Sequence, residues 1–175
     1  RRSGLPIAYS KGFSPHVVMS FASALSVGIS GDHEILDVLL TRDVPADECL
    51  ERMNRVLPPA LRASRVVPAD DRHPALMGML KQASYDIRLE GEGAPRIADS
   101  LEAFLQQTSV MAIRRTKSGE KLVDIRPMIH ELRVAQRTQN EALLKARVSF
   151  EEAATLKPDV LVGALERFAD AQADA

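Results

Sequence analysis

The chain of 175 residues has one cysteine, Cys49, and no tryptophan. A lone thiol makes no internal disulfide and rules out a site built on several cysteines, which suits a cytoplasmic protein. Aromatic residues make up only 4% of the chain. That is too few for a platform on which successive bases of a single strand would stack. No signal peptide opens the sequence and no apolar run is long enough to cross a bilayer, so no membrane is expected. The net charge of −1 lacks the overall basic signature of a nucleic-acid binder. The distribution of charge is more telling. No acid precedes Asp32, whereas Arg1, Arg2 and Lys11 do, and the tail from Glu151 onward is acidic. A basic end and an acidic end can orient a charged ligand. The chain opens on charged residues other than Met and reads as the downstream fragment of a longer protein.

Hydrophobic residues form 45% of the chain, enough for a real core in one domain or two small ones. Arg1 to Ala8 reads as the end of a truncated helix, because Pro6 cannot continue a helix interior. From Met19 to Val27, the residues Met19, Phe21, Leu25 and Val27 share one strand face. A second strand over 34–41 completes an antiparallel hairpin. Leu50, Met53 and Leu57 predict an amphipathic helix over 46–56, closed by Pro58-Pro59. Leu61 to Val67 reads as a third strand, 68–74 as a polar linker and 75–80 as a short apolar segment.

The second half repeats the style. Strands are predicted over 84–90, 110–116 and 121–125, with a turn at 117–120. Pro127 interrupts the strand or marks an edge, and 128–135 continues extended. A further strand carries Leu144, Ala146, Val148 and Phe150. Helices are predicted over 96–107 and 158–169, the second with Pro158 in its first turn. The fold class is therefore α+β. We read two ferredoxin-like α/β sandwich subdomains with antiparallel sheets, 1–74 and 75–175, the first lacking its opening strand and helix.

The stretch Leu5 to Gly28 is Ser-rich and acid-free. Its turn brings together Lys11, Gly12, Phe13, Ser14 and His16, with Ser20 just beyond. Glycine lets backbone approach a ligand, a hydroxyl donates, and imidazole binds phosphate or shuttles a proton. A plain turn punctuated by Gly and Pro is the simpler account. A second cluster is Arg114, Arg115, Lys117, Lys121 and Arg126, a set able to grip phosphates. Its simpler account is a charged hairpin whose cations guard an exposed edge. Asp124 and Arg126 share a strand face and are expected to form a local salt bridge; the sharper reading puts Asp124 on a substrate. The four histidines lack metal-ligand spacing, so no metal is expected, and Cys49 reads as packing in a helix.

Two runs carry a family resemblance. One is LPIAYSKGFSPHVVMSFASALSVG, with Gly12, Phe13, Ser14, Pro15 and His16 in the turn and Ser20, Phe21, Ala22, Ala24, Leu25 and Gly28 after it. The other is RRTKSGEKLVDIRPMI, from Arg114 to Ile129. Together they resemble the radical-SAM-linked domain, a bacterial domain of unknown function. Val17, Val18 and Ser26 depart from the family's pattern, and its opening strand and helix are missing. The resemblance implies an accessory domain fused to, or encoded beside, a radical SAM protein, in an RNA context. The chain has no three-cysteine motif for an iron–sulfur centre, so it is expected to carry no cofactor. The leading expectation is a module without catalytic activity of its own that recognises RNA or a ribosome-associated substrate. The alternatives are an RNA-modifying enzyme, related in fold to pseudouridine synthases and using Asp37 or Asp124, and a protein–protein interaction domain.

Overall fold

A computed structural model describes residues 2–70, 72–116, 119–151 and 154–174. It is a mixed α+β protein with several small antiparallel sheets and few helices. Two compact units divide the chain, Arg1–Met79 and Leu80–Ala175, where the sequence placed the boundary at 74/75.

In the first unit, β1 (Met19–Phe21) pairs antiparallel with β2 (Leu36–Val38), setting Ser20 opposite Asp37. The pairing is prolonged by single bonds, Ala22 N–H to Ile35 C=O at 2.8 Å and Leu39 N–H to Val18 C=O at 3.0 Å. The segment before them is extended. Ile7 bridges Leu40 and Tyr9 bridges Val17, so no helical tail precedes Pro6 among the described residues. Helix α1 (Ala46–Val56) begins with Asp47 and Glu48, acids that favour the positive end of the helix dipole. Its exposed face is laced by Glu48–Arg52 and Glu51–Arg55, both at 2.6 Å. A single turn, α2 (Leu76–Met79), ends the unit.

The strand expected over 61–67 is not formed. Asn54 on α1 holds Ala63 from both sides, accepting from its N–H and donating to its C=O, each at 2.9 Å. The prolines at 58, 59 and 68 remove further ladder donors. The segment is thus tied to the helix, and Leu61 and Val67 stay exposed. The long strand over 19–27 shrinks to three residues, and its expected inner face points outward. Ala22 is buried, whereas Met19, Phe21, Leu25 and Val27 are exposed.

The second unit holds the core. Strands β3 (Gln82–Glu90), β6 (Ile129–Arg137) and β7 (Glu141–Ser149) form one antiparallel sheet in the order β3-β7-β6. Alternation works here as expected: Ile87 and Leu89 point inward with Ala142, Leu144, Ala146 and Val148 of β7. Helix α3 (Ala94–Leu105) covers them with Ile97, Ala98, Leu101 and Phe104, one stripe at helical spacing. Helix α4 (Pro158–Ala169) adds Leu161, Val162, Ala164 and Leu165 to the same core. Each fully buried Leu, Ile or Phe contributes on the order of 1.5–3 kcal/mol.

Two strands stand apart from that sheet. Among the described residues β4 (Met111–Thr116) and β5 (Gly119–Asp124) pair only with each other. In the three-stranded sheet β7 takes the centre between β3 and β6. Pro127 sits in a 3-10 turn over Arg126–Met128, which redirects the chain from β5 into β6. After α4, Asp170 adopts a left-handed conformation, and the acidic tail turns back along the sheet. Asp174 and Glu90 exchange both backbone hydrogen bonds, at 2.7 and 2.9 Å.

Candidate functional site

The acid-free turn is a hairpin loop closed by its own backbone. Ser10 N–H donates to His16 C=O at 2.7 Å, and His16 N–H donates back to Ser10 Oγ at 3.0 Å. The bridge between Tyr9 and Val17 lies beneath it. Gly12 at the tip has φ of 135°, a conformation that any Cβ would strain. Lys11, Phe13, Ser14 and His16 are all exposed, and Phe13 presents its whole ring to solvent. The loop therefore gathers the expected side chains on one short exposed segment, not in a pocket.

Ser20 lies in the strand leading away from the loop, opposite Asp37. The Asp37 carboxylate stands 3.5 Å from His73 Nε2, while the other ring nitrogen of His73 lies 2.7 Å from Pro74 C=O. Sequence spacing gave no hint of this pair, because 36 positions and a polar segment separate its members.

In the second unit the β4–β5 register sets Arg114 directly opposite Lys121 and Arg115 opposite Glu120. Arg115 Nε pairs with the Glu120 carboxylate at 3.1 Å, both side chains well exposed. Lys117 lies outside the described residues. The hairpin tip thus concentrates cations, with one acid already engaged.

Asp124 and Arg126 are near one another yet each serves the backbone. Asp124 Oδ1 accepts from Val110 N–H at 2.8 Å and from Arg126 N–H at 3.0 Å. Those two amides, aided by the Ser109 hydroxyl and the Arg126 charge, hold its carboxyl below the usual range against a smaller desolvation effect. The Arg126 guanidinium donates to Leu105 C=O through Nε at 3.1 Å and Nη2 at 2.9 Å. The expected salt bridge gives way to a clasp joining the hairpin base to the end of α3. The motif Val-Asp-Ile-Arg-Pro has a structural task that linear spacing could not distinguish from a mutual ion pair.

Cys49 is buried in α1, and burial pushes its thiol pKa up, with Glu48 adding to the rise and Arg52 opposing it. Among the described residues no polar or charged residue is buried, and no three His, Cys, Asp or Glu side chains gather as a metal site would require. No helix among them is long and apolar enough to cross a membrane. No curated protein and no solved structure matches the chain. A family model described as "Uncharacterized protein conserved in bacteria (DUF2344)", a description that names no reaction, ligand or partner, matches residues 1–158, and the chain belongs to that family.

Proposed function

We propose that this chain is a non-catalytic recognition module whose ligand is RNA or a ribosome-associated substrate. In this reading it works beside a radical SAM protein and carries no cofactor of its own. The observation behind it is the juxtaposition of Arg114 and Lys121 across a hairpin that stands outside the main sheet. Like charges directly opposite one another oppose strand pairing. A phosphate at the hairpin can be gripped by both cations at once, and the exposed Arg115–Glu120 pair is weak enough to yield to it. Lys11 and the exposed Phe13, two positions apart on one exposed loop, offer a further contact of cation and stacking ring. In fold terms the second unit is taken as a derivative of the ferredoxin-like sandwich. Helix α3 packed on an antiparallel sheet, with α4 joining the same core, supports that view, and the separate hairpin is its main departure.

Fluorescence anisotropy with a labelled single-stranded RNA, read across a salt series, tests the proposal. Binding should weaken with salt, and the double variant Arg114→Glu, Lys121→Glu should lower the slope of log K against log salt by about 1.4, for two lost phosphate contacts. Equal binding by the variant and the parent chain would refute the assignment of this hairpin.

A further inference from the structure

A cleft of about 250 Å³ opens in the second unit between the C-terminal ends of α3 and α4 and the start of β4. Its lining mixes apolar side chains (Val110, Met111, Ala164 and Phe168) with polar ones. The buried Phe104 ring meets Phe168 edge-on, with centroids 5.5 Å apart. Phe168 remains 40% exposed, and Met111 at the mouth remains 49% exposed. Gln107 and Ser109 supply polar atoms at the rim.

Among the described residues Arg167 is the one charged side chain lining the cleft, and no carboxylate lines it. Among the described residues none is within ion-pairing distance of Arg167. A cation near the end of a helix ordinarily answers the negative end of the helix dipole. Here other arginines already do so. Arg126 occupies Leu105 C=O at the end of α3, and Arg96 donates to Ala169 C=O at the end of α4, at 3.2 Å. Arg167 is thus a charge without a structural partner, set in one cleft with the exposed Phe168 and Met111.

The apolar surface continues out of the cleft. Ile113 shares a strand face with Met111, and Leu122 stands directly opposite Ile113 on β5. Ile113 and Leu122 are 55% and 64% exposed. The distance from Met111 to Ile113 along the strand is about 7 Å, at ~3.3 Å per residue. An occupant that covers both must be elongated, carrying apolar groups in series and an acid near one end.

We infer that this cleft and the apolar face of the β4–β5 hairpin dock an acidic, apolar peptide segment of a protein partner. An apolar side chain fills the space over Phe168, and an adjacent Asp or Glu pairs with Arg167. A second apolar side chain lies across Met111, Ile113 and Leu122. This surface uses residues other than the hairpin-tip cations, so it stands or falls apart from the RNA reading.

Selection from a random peptide display library against the full chain tests the inference. The enriched peptides should place Asp or Glu next to Leu, Ile, Met or Phe. A synthetic peptide carrying the enriched sequence should shift the amide signals of Val110, Met111 and Phe168. Its affinity should fall about tenfold or more in Arg167→Glu and in Met111→Asp, the loss of one charge pair or one apolar anchor. Both positions are exposed, and circular dichroism of each variant should match the parent, so the fold is not what the change tests. The variant Arg114→Glu, Lys121→Glu should retain the peptide. Enrichment of basic peptides, no enrichment over a blank selection, signals shifting elsewhere, or affinity in the two cleft variants equal to the parent's would each overturn it.

Discussion

The two units put similar apolar content to different use. In the second, three strands of nine residues each set alternate side chains into a core shared with two helices, and Leu89, Ile97, Phe104, Leu144 and Leu165 are buried. In the first, the three-residue β1 carries Met19 and Phe21 to the surface, and Ile35 and Leu39, on either side of the three-residue β2, are exposed as well. Among its described residues only Ala22 and Cys49 are buried hydrophobics. The comparison shows that strand alternation is only half of a core. It sorts side chains onto faces, and burial needs an opposing layer of matching length.

The largest expected effect tests this contrast directly. Phe104→Ala should destabilise the second unit by about 3–5 kcal/mol, through lost transfer energy and the cavity left behind. Phe21→Ala in the first unit should cost under about 1 kcal/mol, because the ring is half exposed already. Urea unfolding of the two variants reads both numbers. Equal losses would mean that the first unit buries its strands as thoroughly as the second.

A smaller effect is expected at Gly93, where α3 begins under the returning tail. A Cβ there would collide with the Gln172 carbonyl oxygen, and backbone atoms cannot step aside cheaply. Gly93→Ala should cost about 1–3 kcal/mol, the usual penalty of overpacking. Hydrogen exchange should also quicken at the Glu90 and Asp174 amides, whose bonds hold the tail to β3. Unchanged protection at those two amides would show that the tail does not depend on this close approach.

The smallest effect concerns Asp124 and acid. Its folded carboxyl titrates below the ordinary range, chiefly because the Val110 and Arg126 amides donate to it. Such a group stabilises the fold fully above its unfolded pKa, near ~3.9, and the contribution disappears as pH falls through the lowered folded value. Asp124→Asn should therefore leave a shallower loss of stability between neutral pH and about pH 3 than the parent shows. Parallel stability profiles would remove Asp124 from the acid limb.

Much of the second unit could be read along the chain, for reasons visible in particular residues. Pro95 and Pro158 mark helix starts, and Ile97, Leu101 and Phe104 recur at helical spacing before an inward face. Tyr85, Ile87 and Leu89 alternate through a strand long enough to keep its register. The first unit was less legible. Val66 and Val67 favour a strand, yet Asn54 claims the backbone at Ala63 and no neighbouring strand pairs with 61–67. For the candidate site, local composition brought Lys11 to His16 onto one loop, and alternation anticipated a cationic hairpin. The commitment of Asp124 and Arg126 to backbone groups was not legible, because their partners, Val110 and Leu105, come from earlier in the chain.

The sequence by itself determined the α+β class, the helix and strand periods of the second unit, and where cations and acids concentrate. These are local properties, set by side-chain spacing and backbone restriction within a few residues. Only the tertiary structure decided the order β3-β7-β6, the detachment of the β4–β5 hairpin, and the pairing of Arg114 with Lys121. It alone left Arg167 in a partly apolar cleft with its helix end already satisfied by Arg96. Each of these depends on which distant segments meet, and the free energy of that meeting lies in surfaces that no single stretch of chain contains.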